Sequence, residues 1–142
     1  MGVRVRIKVN IGNKVAETVA LVNSGFETET PQILVPHKFI LSNNIDLDIL
    51  GRPRIQEYDT AGGRIIMYMY PESCTVNVVE EDRLSKSVKA DLVISTIEKE
   101  VLLSDALTEE LEIIIISPRK GLWKFTDDPL NKIRYSYKPE YW

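Results

Sequence analysis

Apolar and polar side chains alternate strictly over residues 3–9, which is the pattern of a strand with one buried face. Residues 10–13 have the composition of a turn, and residues 14–22 resume as a second strand. The opening of the chain therefore predicts a β-hairpin. Its second strand ends in an apolar run, Val19 to Val22, which gives way to the polar turn Asn23-Ser24-Gly25.

The chain continues to residue 125 as short apolar segments separated by turn residues. The segment 31–39 suits a strand or a turn into a helix, and 41–50 suits a loop or a short helix. Further strands are predicted at 55–58, 64–70, 75–80, 88–95, 113–116 and 122–125. The first two of these flank a glycine-rich tip and form a long hairpin.

One short helix is predicted after the apolar run 101–103. Ser104 or Asp105 can cap it, acids occupy its first turns, and its leucines are spaced four apart up to Leu111. Many short strands with so little helix predict an all-β barrel or sandwich.

Composition narrows the class of protein. A length of 142 residues fits one domain, and a net charge of -3 argues against a nucleic-acid partner. No apolar run reaches the ~20 residues that cross a bilayer, so we expect a cytoplasmic protein with no membrane partner. The lone Cys74 suits a buried structural thiol, and the lone His37 has no companion at metal-ligand spacing. We therefore expect neither a metal nor another cofactor.

The order of these parts resembles the retropepsin-like (retroviral-type) aspartic peptidases. The stretch Leu21-Val22-Asn23-Ser24-Gly25 is similar to the family's turn Asp-Thr/Ser-Gly, and the hairpin Tyr58 to Tyr70 is similar to its flap. The stretch Val101-Leu102-Leu103-Ser104, followed by the helix, is similar to the family's second apolar turn. The resemblance covers about residues 3–125.

The resemblance implies a closed acid-protease barrel with one short C-terminal helix, in a domain spanning residues 1–125. The tail, residues 126–142, would pack on that domain or on a dimer partner. Each subunit of a homodimer would supply one residue of the catalytic dyad, and an extended peptide or protein substrate would lie under the flaps. The implied catalytic positions are Asn23, Ser24 and Gly25, and the implied substrate-binding positions are Ala61, Gly62, Gly63, Leu103 and Ser104.

Two positions depart from the family pattern. Asn23 is an amide where the family has the catalytic acid, so it has no proton equilibrium with which to serve as a general base. Ser104 stands where the family has glycine, which adds a Cβ where backbones crowd. With these departures, the resemblance implies an inactive peptidase, by natural loss or by an engineered Asp→Asn substitution, or a non-catalytic peptide- or protein-binding module on the same fold.

Three weaker alternatives stay open. Deamidation of Asn23 ahead of Ser24 would create a carboxylate. The segment Asp59-Thr60-Ala61-Gly62 also joins an acid, a hydroxyl and a glycine, although its position favours a hairpin tip over a catalytic turn. An unrelated small β-barrel that acts as an interaction domain is the third.

Overall fold

The structure is a computed structural model that describes residues 1–142, and it is mostly β. The strands are β1 (Arg4–Ile11), β2 (Lys14–Val22), β3 (Gln32–Pro36), β4 (Arg54–Thr60), β5 (Gly63–Val78), β6 (Val88–Ser95), β7 (Val101–Leu103), β8 (Ile113–Ser117), β9 (Leu122–Phe125) and β10 (Arg134–Tyr135). The helices are α1 (His37–Ser42) and α2 (Asp105–Glu110), with a 3-10 turn at Leu47–Leu50. None of these helices combines the length and the apolarity that crossing a bilayer requires.

Six strands close into a barrel in the order β1-β2-β7-β3-β6-β5, and β5 returns to pair with β1. The long strand β5 makes this closure because its second half pairs with β1 while its first half pairs with β4. The hairpin β4–β5 therefore projects from the barrel as an arm. A separate small sheet has the order β10-β9-β8.

The barrel interior is the main hydrophobic core. Burial alternates along β1, as the sequence pattern predicts, whereas every residue of β3 and β7 is buried. The small sheet adds the fully buried side chains Trp123 and Phe125 to the same core, with their rings packed edge to face at 5.1 Å. Aromatic burial of this kind fixes the small sheet against the barrel.

The C-terminal tail packs on its own domain. The Trp142 ring meets Phe39 edge to face at 5.0 Å, and its Nε1 donates to the Thr18 hydroxyl at 3.0 Å. Nearer its start, the buried Arg134 donates through Nη1 to the carboxylate of Asp82 in the domain at 2.7 Å, and this hydrogen bond lowers the pKa of Asp82 to about 2. The tail is thus part of the domain surface; its expected contact with a dimer partner stays a prediction.

The structure corrects two local expectations. The predicted strands at 64–70 and 75–80 are one strand, β5, interrupted by a bulge between Tyr70 and Cys74 where Glu72 has φ 47°. The domain also has two short helices where the resemblance implies one. The additional helix, α1, follows β3 directly, in line with the turn into a helix left open for 31–39, and it spans only six residues and buries only Phe39 and Ile40. Helical periodicity is not visible over so short a segment.

Candidate functional site

Strand β7 lies between β2 and β3, although β2 and β3 are consecutive in the chain. It runs parallel to β2, with Val22 opposite Leu103, and antiparallel to β3. Asn23 and Ser104 are therefore the first residues after two neighbouring strands, and they lie at the same end of the sheet. The loop 23–31 must then cross β7 to reach β3.

Backbone hydrogen bonds hold this crossing together. The Asn23 amide donates to the Leu103 carbonyl at 3.1 Å, and the Asp105 amide donates to the Phe26 carbonyl at 2.9 Å. The Ser104 amide donates to the Gln32 carbonyl at 3.0 Å. The loop 23–31 is thus fastened at its start, middle and end to the strand and helix that pass beneath it.

Asn23 forms a compact local turn. Its side-chain Oδ1 accepts from the Gly25 amide at 3.1 Å, and its carbonyl accepts from the Phe26 amide at 3.0 Å. This is the Asx turn that Asn favours. A Cβ on residue 25 would lie 3.3 Å from Oδ1, so the close approach of the Asn23 side chain favours glycine there.

Ser104 is wholly buried and has a different task. Its backbone is extended, with φ -68° and ψ 165°, so the Cβ introduces no strain. Its hydroxyl oxygen accepts from the Gln32 amide at 3.0 Å and from the Leu107 amide at 3.1 Å. The serine thus caps α2 and anchors β3 with one atom. Asp105 adds a further tie, since its Oδ1 accepts from the Thr28 amide at 2.9 Å.

A cleft of about 1400 Å³ lies between the loop 23–31 and the hairpin β4–β5. Its floor is a second hydrophobic cluster, separate from the barrel core, which includes Leu34, Met67, Met69 and Leu102. A cleft of this size, with an apolar floor and a polar rim, suits a peptide segment or a small molecule.

Tyr58 holds the hairpin down over the loop. Its hydroxyl donates to Gln32 Oε1 at 2.9 Å, and its ring packs edge to face against Phe26 at 6.0 Å. Burial, reinforced by the negative charge of Asp91, raises the pKa of Tyr58 to about 12. The tyrosine therefore stays a neutral hydrogen-bond donor throughout the physiological pH range.

Carboxylates dominate the charged lining of the cleft. The acids are Glu27, Glu29, Glu57, Asp59, Glu72, Asp91 and Glu98, and the only base is Arg54. Asp91 is buried and accepts from the Thr30 hydroxyl at 2.6 Å and from the Glu72 amide at 2.7 Å. It thereby links the end of the loop 23–31 to the bulge in β5.

The predicted site residues separate into several groups. Asn23, Gly25, Ala61 and Gly62 line the cleft. Gly63 begins β5 directly after the hairpin turn, with φ 112°, and does not line the cleft.

The other three predicted positions lie outside the cleft. Ser24 is exposed and borders a smaller surface pocket of about 610 Å³ beside α2. Leu103 and Ser104 are fully buried, and the neighbouring Leu102 is the residue of β7 that reaches the cleft. Side chains alternate along a strand, so Leu102 and Leu103 point to opposite faces.

The structure also shows where three other residues singled out in the sequence lie. Asp59 lies on the exposed hairpin, where Arg64 donates to it at 3.2 Å. Cys74 is buried, its thiol donates to the Ala90 carbonyl at 3.4 Å, and burial raises its pKa to about 12. His37 begins α1.

A search of protein-family models finds no match to this chain, and a search of curated proteins finds none either.

Proposed function

We propose that this chain is one half of a symmetric, retropepsin-like dimer of the aspartic endopeptidase lineage. Its cleft holds an extended peptide and, with Asn23 in the place of the catalytic acid, does not hydrolyse it. The observation that carries the proposal is the crossing of the loop 23–31 over β7, beneath a glycine-tipped hairpin. That crossing presents Asn23 to the cleft from a rigid support.

The chemistry of the amide explains the absence of hydrolysis. Peptide hydrolysis by this class of site needs two carboxylates roughly 3 Å apart that share one proton. Each chain offers one turn of the required kind, so two turns must meet across a twofold axis. A pair of Asn23 side chains can hydrogen-bond a peptide carbonyl, but it has no base with which to activate water.

The surface beside Ser24 supports the dimer. Strand β8 is an edge of the small sheet, and it exposes Ile114 and Ile116 to 41% and 44%. Ser24, Ile113 and Ile114 border the same surface pocket, so the edge strand and the Asn23 turn share one face. An exposed apolar edge strand is normally covered by another chain or element. A second copy on this face would bring the two turns together.

Restoring the acid tests the lineage directly. The variant Asn23→Asp should cleave an unfolded protein substrate at acid pH, with inhibition by pepstatin, whereas the unchanged chain should not. The reason is that the variant regains a carboxylate pair that shares one proton. Cleavage is measured by mass spectrometry of the products across roughly pH 3–7, the range that brackets shared-proton dyads.

Asn13→Asp is the matched control, because it makes the same amide-to-acid change at an exposed turn away from the cleft. Sedimentation velocity provides the second measurement, with a dimer expected for all three proteins. A dimeric Asn23→Asp variant that cleaves nothing contradicts the peptidase lineage and leaves the binding module. A strictly monomeric protein contradicts the half-site itself.

A further inference from the structure

We propose that the cleft selects peptides in which lysine or arginine side chains flank an apolar residue. This inference rests on the proposed function, because it assumes that the cleft binds a peptide, and it adds the chemical class of that peptide. Two independent properties of the cleft carry it: the sign of the charge on its walls and the apolar cluster on its floor.

The charge is concentrated in the cleft. Seven carboxylates and one guanidinium give the lining a formal charge of -6, although the whole chain carries only -3. The rest of the molecule is therefore formally positive, by +3. A cleft with walls of one sign concentrates ligands of the opposite sign and accelerates their association.

Most of these carboxylates have no ion-pair partner within the chain. Arg64 pairs with Glu57 at 3.5 Å and with Asp59 at 3.2 Å. The five others make no ion pair with any lysine or arginine of this chain: Glu27, Glu29, Glu72, Asp91 and Glu98. Four of these five, all except Asp91, have carboxylates that make no hydrogen bond to a protein donor. They are therefore available to cationic groups of a ligand.

The floor specifies what lies between the cationic groups. Met67 and Met69 project from β5 beside Leu34 and Leu102, and Phe26 and Ile65 pack against this cluster. Methionine side chains adapt their shape to different apolar partners. An apolar side chain of the ligand would rest on this floor, while its charged neighbours reach the acidic walls.

Three fluorescein-labelled peptides test the selection by fluorescence anisotropy. They share an apolar Leu-Phe centre and differ in their flanking residues, which are Lys, Gln or Glu. We expect the Lys peptide to bind about tenfold more tightly than the Gln peptide at low salt, from several contacts that each contribute roughly two- to fivefold. We expect the Glu peptide to bind more weakly than the Gln peptide, and the Lys advantage to shrink in salt.

Charge-matched double variants locate the effect. Glu27→Gln with Glu29→Gln removes two exposed carboxylates from the cleft, and Glu17→Gln with Glu81→Gln removes two exposed carboxylates elsewhere. The first pair of substitutions should lower the affinity for the Lys peptide by about three- to tenfold and leave the affinity for the Gln peptide unchanged. The second pair of substitutions should leave both affinities unchanged, apart from a small effect of net charge that the two pairs share.

The outcomes separate the two proposals. Equal affinity for the three peptides, or equal effects of the two double variants, overturns the selection for basic peptides and leaves peptide binding in place. Failure of all three peptides to bind overturns peptide binding as well.

Discussion

Two neighbouring strands of the barrel end in polar residues that look alike in the sequence and differ in what they do. Asn23 follows β2 and Ser104 follows β7, and the last residues of these two strands lie directly opposite each other. Ser104 is completely buried, and its oxygen accepts two backbone hydrogen bonds from different segments. Asn23 is half-buried, and its side chain accepts one hydrogen bond from within its own turn.

The contrast assigns support to the Ser104 turn and leaves the Asn23 side chain, which lines the cleft, free for the proposed contact with a ligand. Because Ser104 and Asp105 secure β3, α2 and the middle of the loop from below, we expect the loop to keep its position without help from the Asn23 side chain. A position that the fold does not need is free to change its chemistry. In the proposed peptidase lineage, this would allow an amide to occupy the place of the catalytic acid without loss of the architecture.

Replacing the supporting hydroxyl should have the largest effect. Ser104→Ala leaves the buried amides of Gln32 and Leu107 without their acceptor, and each unsatisfied buried group costs about 1–3 kcal/mol. We expect the free energy of unfolding to fall by about 2–4 kcal/mol, measured by urea denaturation. Ser24→Ala is the control, with a change within about 0.5 kcal/mol because Ser24 is exposed. A loss below about 1 kcal/mol for Ser104→Ala contradicts the supporting role.

Loss of the hydrogen bond between the Thr28 amide and Asp105 should have an intermediate effect on stability. Asp105→Ala removes the acceptor of the Thr28 amide, so we expect a loss of about 1–2 kcal/mol and faster hydrogen exchange at Thr28. Asp105→Asn keeps an oxygen at this position and should preserve most of the protection. Unchanged exchange at Thr28 in the alanine variant would mean that the loop does not depend on Asp105.

Sequence patterns predict much of the barrel, because strand boundaries coincide with local turn residues. Strand β2 has the predicted bounds, and so does β6. In β7 the pattern is uninformative: Val101-Leu102-Leu103 is apolar throughout and only three residues long. Which leucine faces the cleft depends on pairing with β3, where Leu34 lies opposite Leu102, and on the hairpin that folds over them.

The acidic walls were not predictable for a related reason. Glu27, Glu72, Asp91 and Glu98 come from four separate segments, and none of these segments is unusually acidic by itself. Only the closure of the barrel and the bulge in β5 bring them together. Asn23 could be found in advance because its signal is local: an apolar strand, a polar turn and a glycine occur consecutively.

The smallest effect on stability should come from the residue at the candidate site. Asn23→Ala removes one hydrogen bond to the Gly25 amide, which is exposed and can bond water instead, so we expect a loss of about 0.5 kcal/mol in urea denaturation. The same change should weaken the binding of the Gln-flanked peptide, because the side-chain amide of Asn23, which faces the cleft, is lost. A loss of stability as large as that of Ser104→Ala would make Asn23 a second structural support. The amide would then be explained by the fold, and its presence in the cleft would no longer indicate a binding role.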